Sequence, residues 1–377
     1  MTYLDHNATT PLDPRVREAM LPYLGAEPGN PSSAHRYGRR ARAALDRARE
    51  QVATLVGVQP RQVIFTSGGT EANNLALFGL AAVERPGRLA LSPVEHPSVI
   101  EPARALEREA WELDWLPVDA DGRVVVAAWE PAAGTRIVST MWANNETGVV
   151  QPVAELAAKA RAAGALVHSD AVQALGKLPV DFRDSGAHLL TLSSHKINGP
   201  QGAGALVVDP AVDLASRQLC GGQERGLRNG TENLAGIVGF GMAAELAGAG
   251  REERAETNRA LIERLMDGLD GIDGITLFAA SAERLPNTLL FAIDGIEGET
   301  LLLALDREGL AVSSGSACHS GTGTPSHVLS AMGVPDAVAR GAIRVSVGHG
   351  NSVKEIDVLV TALGRQVTAL RKLVATA

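Results

Sequence analysis

The side chains best placed for covalent chemistry lie in Leu192-Ser-Ser-His-Lys-Ile-Asn-Gly-Pro-Gln-Gly202, centred on Lys196. The chain is rich in arginine but carries only five lysines: Lys159, Lys177, Lys196, Lys354 and Lys372. Of these, only Lys196 leaves an apolar strand-like run (Leu189-Leu-Thr-Leu192) and enters a segment of hydroxyl, imidazole and glycine. An amine set among activating polar groups, with backbone able to come close, suits a Schiff base with an aldehyde cofactor. By itself a lysine after a strand is an ordinary surface residue, so this reading depends on what else the chain supplies.

Three further segments bear on it. After Val63-Ile-Phe-Thr66 comes Ser67-Gly-Gly-Thr-Glu71 and an apolar helix. Free N–H groups, a hydroxyl and the positive end of a helix dipole there suit a phosphate. An ordinary N-cap by Thr70 explains the segment equally well. No Lys follows the glycines, so it is not a Walker loop. Asp170 ends the run Ala165-Leu-Val-His-Ser169, with Gln173 three residues on. A carboxylate at a strand end can keep a pyridinium nitrogen protonated; the bland alternatives are a helix cap for Asp170 and a surface residue for Gln173. His96 follows Leu89 to Ser92 and can stack on a planar ring or relay a proton, although a lone histidine is more often structural. Gly239-Phe-Gly241-Met-Ala-Ala244 loosely matches a dinucleotide-binding GxGxxA, yet no convincing strand precedes it, and close helix packing explains its glycines better.

The elements that must position these groups alternate along the chain. Strand-like runs cover Val63 to Thr66, Arg88 to Leu91, Arg136 to Met141, Ala165 to Ser169, His188 to Ser193 and Ala205 to Val208. Helical spacing falls between them at Glu71 to Val83, Pro97 to Glu109 and Pro152 to Ala163. That alternation predicts a mainly parallel sheet with helices on both faces, whose ligands bind beyond the carboxyl ends of the strands. Earlier, Ala41, Leu45, Ala48, Val52 and Leu55 form one helix face, while Arg39, Arg40, Arg42, Arg47 and Arg49 with Asp46 and Glu50 read as its solvated side. From about Arg251 the pattern changes to a smaller α+β unit: a helix at Glu256 to Leu269, strands near Thr288 to Ile293, Ala311 to Ser313 and Ala342 to Val347, a helix at Glu299 to Arg307 and a last one from Ser352.

Bulk properties narrow the classes of function. The 377 residues suffice for two domains. A net charge of -8 argues against a nucleic-acid or anionic-membrane partner. No run approaches the roughly 20 apolar residues of a membrane span, and no secretory signal is visible at the N-terminus. Two cysteines, Cys220 and Cys318, cannot form a disulfide framework, so a reducing cytoplasm is expected. Without CxxC or HExxH spacing, no metal site is expected.

The segments Tyr3-Leu-Asp-His-Asn-Ala-Thr-Thr-Pro11, Thr66-Ser-Gly-Gly-Thr-Glu-Ala-Asn73, Val94-Glu-His-Pro97, Asn144-Asn-Glu-Thr-Gly148, Ser169-Asp-Ala-Val-Gln173, Ser194-His-Lys196 and Ser313-Ser-Gly-Ser-Ala-Cys318 occur in that order. Together the set resembles the NifS/IscS-type cysteine desulfurases, pyridoxal-phosphate enzymes of fold type I, class V, and the match runs almost end to end. The resemblance implies an α/β fold: a large domain (residues 12–250) with a mostly parallel seven-stranded sheet, and a small α+β domain (1–11 and 251–377) carrying the nucleophile loop. It implies a homodimer with active sites at the subunit interface. Lys196 would anchor pyridoxal 5'-phosphate, Asp170 would pair with the pyridine nitrogen, Gln173 with the ring oxygen, and His96 would stack on the ring and assist proton transfer. Asn145 would lie beside cofactor and substrate. Gly69, Thr70, Ser193 and His195 would complete the phosphate end, joined by Thr231 from the other subunit. Arg344 would clamp the substrate carboxylate, a task suited to a guanidinium fork.

The implied reaction converts L-cysteine to L-alanine and leaves the sulfur as a persulfide on Cys318, for delivery to an iron–sulfur scaffold, a tRNA-thiolation enzyme or a cofactor-biosynthesis protein. The Ser/Gly surroundings of Cys318 argue against a buried structural thiol, and the Gly-rich stretch to Pro325 suits a loop. Cys220, by contrast, reads as structural. The sequence departs from the family pattern at His319, where Thr or Ser is usual, and at Gly348-His-Gly-Asn351, where a bulkier turn is common. The Ala-Cys-His-Ser string also resembles selenocysteine lyases. Another class V aminotransferase or lyase, or a non-catalytic sulfur-relay subunit, are the remaining alternatives.

Overall fold

The computed structural model describes residues 1–25, 29–315 and 325–376; Cys318 and His319 lie outside them. A two-residue strand, β1 (Thr2–Tyr3), opens the chain. Seven strands then form one sheet: β2 (Val63–Thr66), β3 (Arg88–Leu91), β4 (Glu112–Trp115), β5 (Thr135–Met141), β6 (Leu166–Asp170), β7 (Leu189–Ser193) and β8 (Gly204–Val208). Their spatial order is β2-β8-β7-β6-β5-β3-β4. Neighbours from β7 to β4 pair in parallel, while β8 runs antiparallel to both β7 and β2. Every strand except β8 therefore points the same way, and six carboxyl ends share one edge.

The sheet is buried on both faces because successive side chains of its apolar strands point oppositely. Phe65, Val138, Val167 and Leu190 pack with Leu45, Leu156 and Phe240 from helices Arg36–Leu55, Val153–Ala162 and Leu234–Ala249. Their strand neighbours Ile64, Ile137 and Leu189 face the other way, onto Leu75, Leu77 and Val99 of helices Gly69–Ala81 and Pro97–Glu107. The helix pair Arg36–Leu55 and Leu234–Ala249 approaches closely, as expected from the glycines: a Cβ on Gly241 would lie 2.6 Å from Ala48 Cα.

A second, four-stranded sheet is antiparallel throughout. It contains β9 (Ile275–Phe278), β10 (Thr288–Ile293), β12 (Ser313–Ser314) and β13 (Ala342–Ser346), in the order β12-β13-β10-β9. Between β10 and β12 lies β11 (Leu310–Ala311), the parallel partner of β1. The single strand expected at Ala311 to Ser313 is thus two short ones with different partners. Helices Arg251–Leu269, Gly298–Asp306 and Val353–Thr376 bury Leu265, Leu301 and Leu359 against Phe291 and Val345, and Leu4 joins this core.

Elsewhere the sequence reading needs correction in particulars. Strand β4 was not expected: Glu-Leu-Asp-Trp on the sheet edge is half exposed and carries no apolar run. Arg49 is not solvated. Its guanidinium forks onto Glu224, 2.6 and 2.7 Å away, and stacks 4.7 Å over Phe65, whereas Arg42 and Arg47 remain exposed. Cys220 is exposed rather than packed in a core. Among the described residues no helix is long and apolar enough to cross a membrane.

Candidate active site

The shared carboxyl edge of the parallel strands opens into a cavity of about 340 Å³. Gly69, Thr70, His96, Asn145, Asp170, Gln173, Ser193, His195, Lys196 and Arg344 all line it. They come from six strands and the turns after them: Gly69 and Thr70 follow β2, His96 follows β3, Asn145 follows β5, Asp170 ends β6 with Gln173 just beyond it, Ser193 ends β7 with His195 and Lys196 beyond it, and Arg344 arrives from within β13 of the second sheet. Thr231 is exposed and does not line the cavity of its own chain. Cys318 lies outside the described residues.

Lys196 stands one short helical turn beyond β7. Its ammonium donates to the main-chain carbonyls of Asn7 and, at 2.7 Å, Ala8. The N-terminal segment is pinned there by Thr10, whose N–H donates to the His195 carbonyl at 2.9 Å, and by Thr9 Oγ1, 3.1 Å from His195 Nδ1. Burial first, and then the charge of Lys196, lower the His195 pKa to about 4, so its imidazole is neutral at physiological pH.

Asp170 is held at both oxygens. Oδ1 accepts from the Val172 N–H (2.9 Å) and Oδ2 from Asn73 Nδ2 (2.7 Å). Asn73 Nδ2 also donates to Ser98 Oγ at 2.8 Å, and Ser98 Oγ lies 2.7 Å from His96 Nδ1. A hydrogen-bonded line Asp170–Asn73–Ser98–His96 therefore joins the ends of β6 and β3. His96 caps helix Pro97–Glu107 through the Ser98 N–H; burial lowers its pKa, Asp170 opposes that effect, and Lys196 adds to it.

Gln173 sends Nε2 to the Asn7 carbonyl (2.9 Å), while its Oε1 accepts from Lys177 (2.8 Å). Arg344 is almost wholly buried; Nη1 donates to the Asn145 carbonyl (2.9 Å) and Nη2 meets Asp5 Oδ1 at 2.5 Å.

The cofactor implied by the resemblance can be tested against these residues. Among the described residues Ser193 Oγ is buried without a hydrogen-bond partner, and a Cβ on Gly69 would sit 3.7 Å from Ser193 Cβ. The orphan hydroxyl thus adjoins the N-terminus of helix Gly69–Ala81, where a phosphate would find N–H donors and the helix dipole. The turn fits closely: any Cβ on Gly204 would lie 2.6 Å from Gly68 Cα. Among the described residues Arg344 Nε, on the same cavity, is also buried without a partner and could take a carboxylate oxygen. A phosphate cradle, an amine, a held carboxylate and a guanidinium N–H on one cavity suit pyridoxal phosphate with an amino-acid substrate.

Some lining residues escaped the sequence reading. Asn7 and Asn73 sit inside quoted motifs, but helix and loop asparagines carry no spacing that marks their role. Asp5 and Lys177 lie behind the cavity wall. The unusual turn Gly348-His-Gly-Asn351 has a packing reason: a Cβ on Gly348 would fall 2.1 Å from His6 Nδ1, and Asn351 ties Gly348 N–H (2.9 Å) to the Tyr3 carbonyl (3.1 Å).

The chain is also similar to known proteins along nearly its whole length. The aminotransferase class-V family matches residues 2–359. The chain is 45% identical over 379 residues to a protein named cysteine desulfurase IscS from Anaeromyxobacter sp. (strain Fw109-5), covering 98% of this chain and 93% of the relative. It is 46% identical over 377 residues to a cysteine desulfurase from Cereibacter sphaeroides, covering 98% and 97%. Among solved structures, a NifS-like protein superposes with a TM-score of 0.91 at 35% identity, over 97% of this chain and 99% of that one. A structure titled SspA in complex with cysteine gives 0.81 at 32% identity, over 92% and 99%. The chain belongs to the class-V aminotransferase family and, within it, to the cysteine desulfurases.

Proposed function

We propose that this enzyme takes sulfur from L-cysteine, releases L-alanine and carries the sulfur as a persulfide on Cys318. Pyridoxal phosphate, when bound, supplies an electron sink for charge developing at the substrate Cα. Around it the chain's own groups divide the work. Arg344, fixed by Asp5 and the Asn145 carbonyl, turns its unpartnered Nε to the substrate carboxylate. Lys196 Nζ would hold the cofactor and afterwards carry the Cα proton; the Asn7 and Ala8 carbonyls accept from it and fix its place. Asp170, each oxygen of which accepts a hydrogen bond, would pair with the cofactor's ring nitrogen, and His96 would stack on the ring.

Cys318, as a thiolate, attacks the substrate sulfur. An S–S bond forms while the C–S bond breaks, its electron pair staying on carbon, which then takes a proton to become the alanine methyl group. Residues 12–250 would form the cofactor-binding unit. Thr231, exposed on its own chain, would complete the phosphate end of a second copy in a homodimer, and an iron–sulfur scaffold or a thiolation enzyme would take the sulfur.

The observation that carries this reading is the convergence of Lys196, Asp170, Gln173, His96 and Arg344 on one cavity. Incubation with cysteine should yield alanine, with an added sulfur mapped to Cys318 by mass spectrometry. C318A should keep the cofactor chromophore and lose sulfide release; unchanged turnover in C318A would overturn the assignment.

A further inference from the structure

Lys177 lies outside the cavity that holds the cofactor residues, on the wall of a neighbouring cleft of about 280 Å³ that also reaches Lys196. Its stem is partly exposed, yet its amine points inward. Nζ donates to Gln173 Oε1 at 2.8 Å and to Asn7 Oδ1 at 3.0 Å. The orientation of both amides follows from their other contacts. The Asn7 main-chain carbonyl can only accept, so the Gln173 NH2 must face it, 2.9 Å away. Asn7 Nδ2 donates to Thr288 Oγ1 (2.8 Å) and the Asn145 carbonyl (3.2 Å), so its Oδ1 faces Lys177. Lys177 is therefore the donor to two amide oxygens. Burial, then the charges of Lys196 and Arg344, push it well below the ordinary lysine range. A neutral amine still has two N–H groups for those two acceptors, so the arrangement survives loss of its proton.

We propose that Lys177 is a positioning residue for Gln173: by occupying Oε1 it locks the carboxamide so that only N–H is presented to the cofactor's ring oxygen, which is thereby held as an anion. The proposal rests on the reading of Gln173 as the ring-oxygen partner. Without Lys177 the buried Oε1 loses that donor, and the Nε2 contact to the Asn7 carbonyl is left alone to oppose a rotation that would set Oε1 against the ring oxygen. The charged groups facing this corner are Lys196 and Arg344, with Asp170 and His96 across the cavity and His6 behind Lys177.

The test uses holoenzyme of the wild type, K177M, K177R, Q173A and the K177M/Q173A double variant. The pH midpoint of the bound cofactor's visible band and the rate of cofactor release are measured for each. Losing a donor to the ring oxygen raises its proton affinity, so K177M should shift the midpoint upward by about one pH unit, a tenfold change, and release the cofactor faster. K177R, which still donates N–H, should recover most of the shift. In the Q173A background, K177M should change nothing further. An unshifted midpoint in K177M, or a K177M effect that simply adds to that of Q173A, overturns the proposal. A Q173A midpoint equal to the wild type instead overturns the ring-oxygen reading, and the proposal with it. Should K177M not fold, K177L is read the same way.

Discussion

Asp5 and Arg344, 339 positions apart in sequence, meet through Oδ1 and Nη2 at 2.5 Å inside the cavity wall. The Asp5 carboxylate holds one edge of the guanidinium, and among the described residues Nε has no partner. Orientation of the fork, more than its charge, should decide how well a substrate carboxylate is met. D5A should therefore raise KM for cysteine about tenfold, roughly 1.4 kcal/mol of lost binding, with a smaller change in kcat and an unaltered cofactor spectrum. Steady-state kinetics beside an absorption spectrum check this; a kcat collapse with unchanged KM would place Asp5 in the chemical step instead.

The Asp170–Asn73–Ser98–His96 line predicts a different signature. In N73A, Asp170 Oδ2 loses the Asn73 donor and, among the described residues, the side chain keeps the contact of Oδ1 to the Val172 N–H. An under-satisfied buried carboxylate costs about 1–3 kcal/mol and turns away from the ring nitrogen. Cofactor affinity should fall about tenfold, measured by equilibrium dialysis of the apoprotein. S98A, which leaves the Asn73–Asp170 bond intact, should weaken cofactor affinity much less.

Glu146, in the Asn-Asn-Glu-Thr-Gly motif, is buried against Ser326 Oγ at 2.5 Å. Burial raises its pKa to about 7, against the opposing effects of Ser326 and Arg344. A carboxyl whose folded pKa lies above its unfolded one binds more protons folded than unfolded between those two values. Stability from this group is thus full below about pH 4.5 and falls as pH rises to about 7, a loss on the order of 3 kcal/mol. E146Q cannot titrate, so its melting temperature should lack the decline that the wild type shows between those pH values. Differential scanning calorimetry across that range is the check, and parallel curves would refute the assignment.

The parallel core and the lysine were legible because they depend on local pattern. Apolar runs ending in Thr66, Asp170 and Ser193 mark both the strands and the edge where ligands bind, and Lys196 follows directly. Strand β4 was not legible, since an edge strand needs no apolar face. Asp5, Asn7 and Lys177 were missed for another reason: each acts through residues more than a hundred positions away, or through a neighbour's amide, and nothing in local spacing records such a contact. Lys177 looks like any solvated lysine until Gln173 and Asn7 are seen to converge on it.

Arg49 shows the same blindness with a structural consequence. Among the described residues strand β2 is the edge of the seven-stranded sheet, paired with β8 alone, so its outer backbone groups have no strand there to bond. The Arg49–Glu224 pair takes that place: Arg49 Nη1 donates to the Val63 carbonyl (2.7 Å), and Glu224 accepts from the Phe65 N–H (2.8 Å). Glu224 holds this post with φ 44°, and Arg225 follows with φ 58°, left-handed backbone that costs energy in non-glycine residues. The side chains are 13% and 2% exposed, so removing one partner strands the other in a dry site, at about 3–5 kcal/mol. Because β2 leads into the Gly68–Thr70 turn, the damage should reach the phosphate end of the cavity. E224Q should retain the Phe65 contact and lose less stability than E224A, and both should release cofactor faster than the wild type. Chemical denaturation and cofactor-release rates measure the two effects, and a full loss of stability without faster release would confine this pair to the sheet edge.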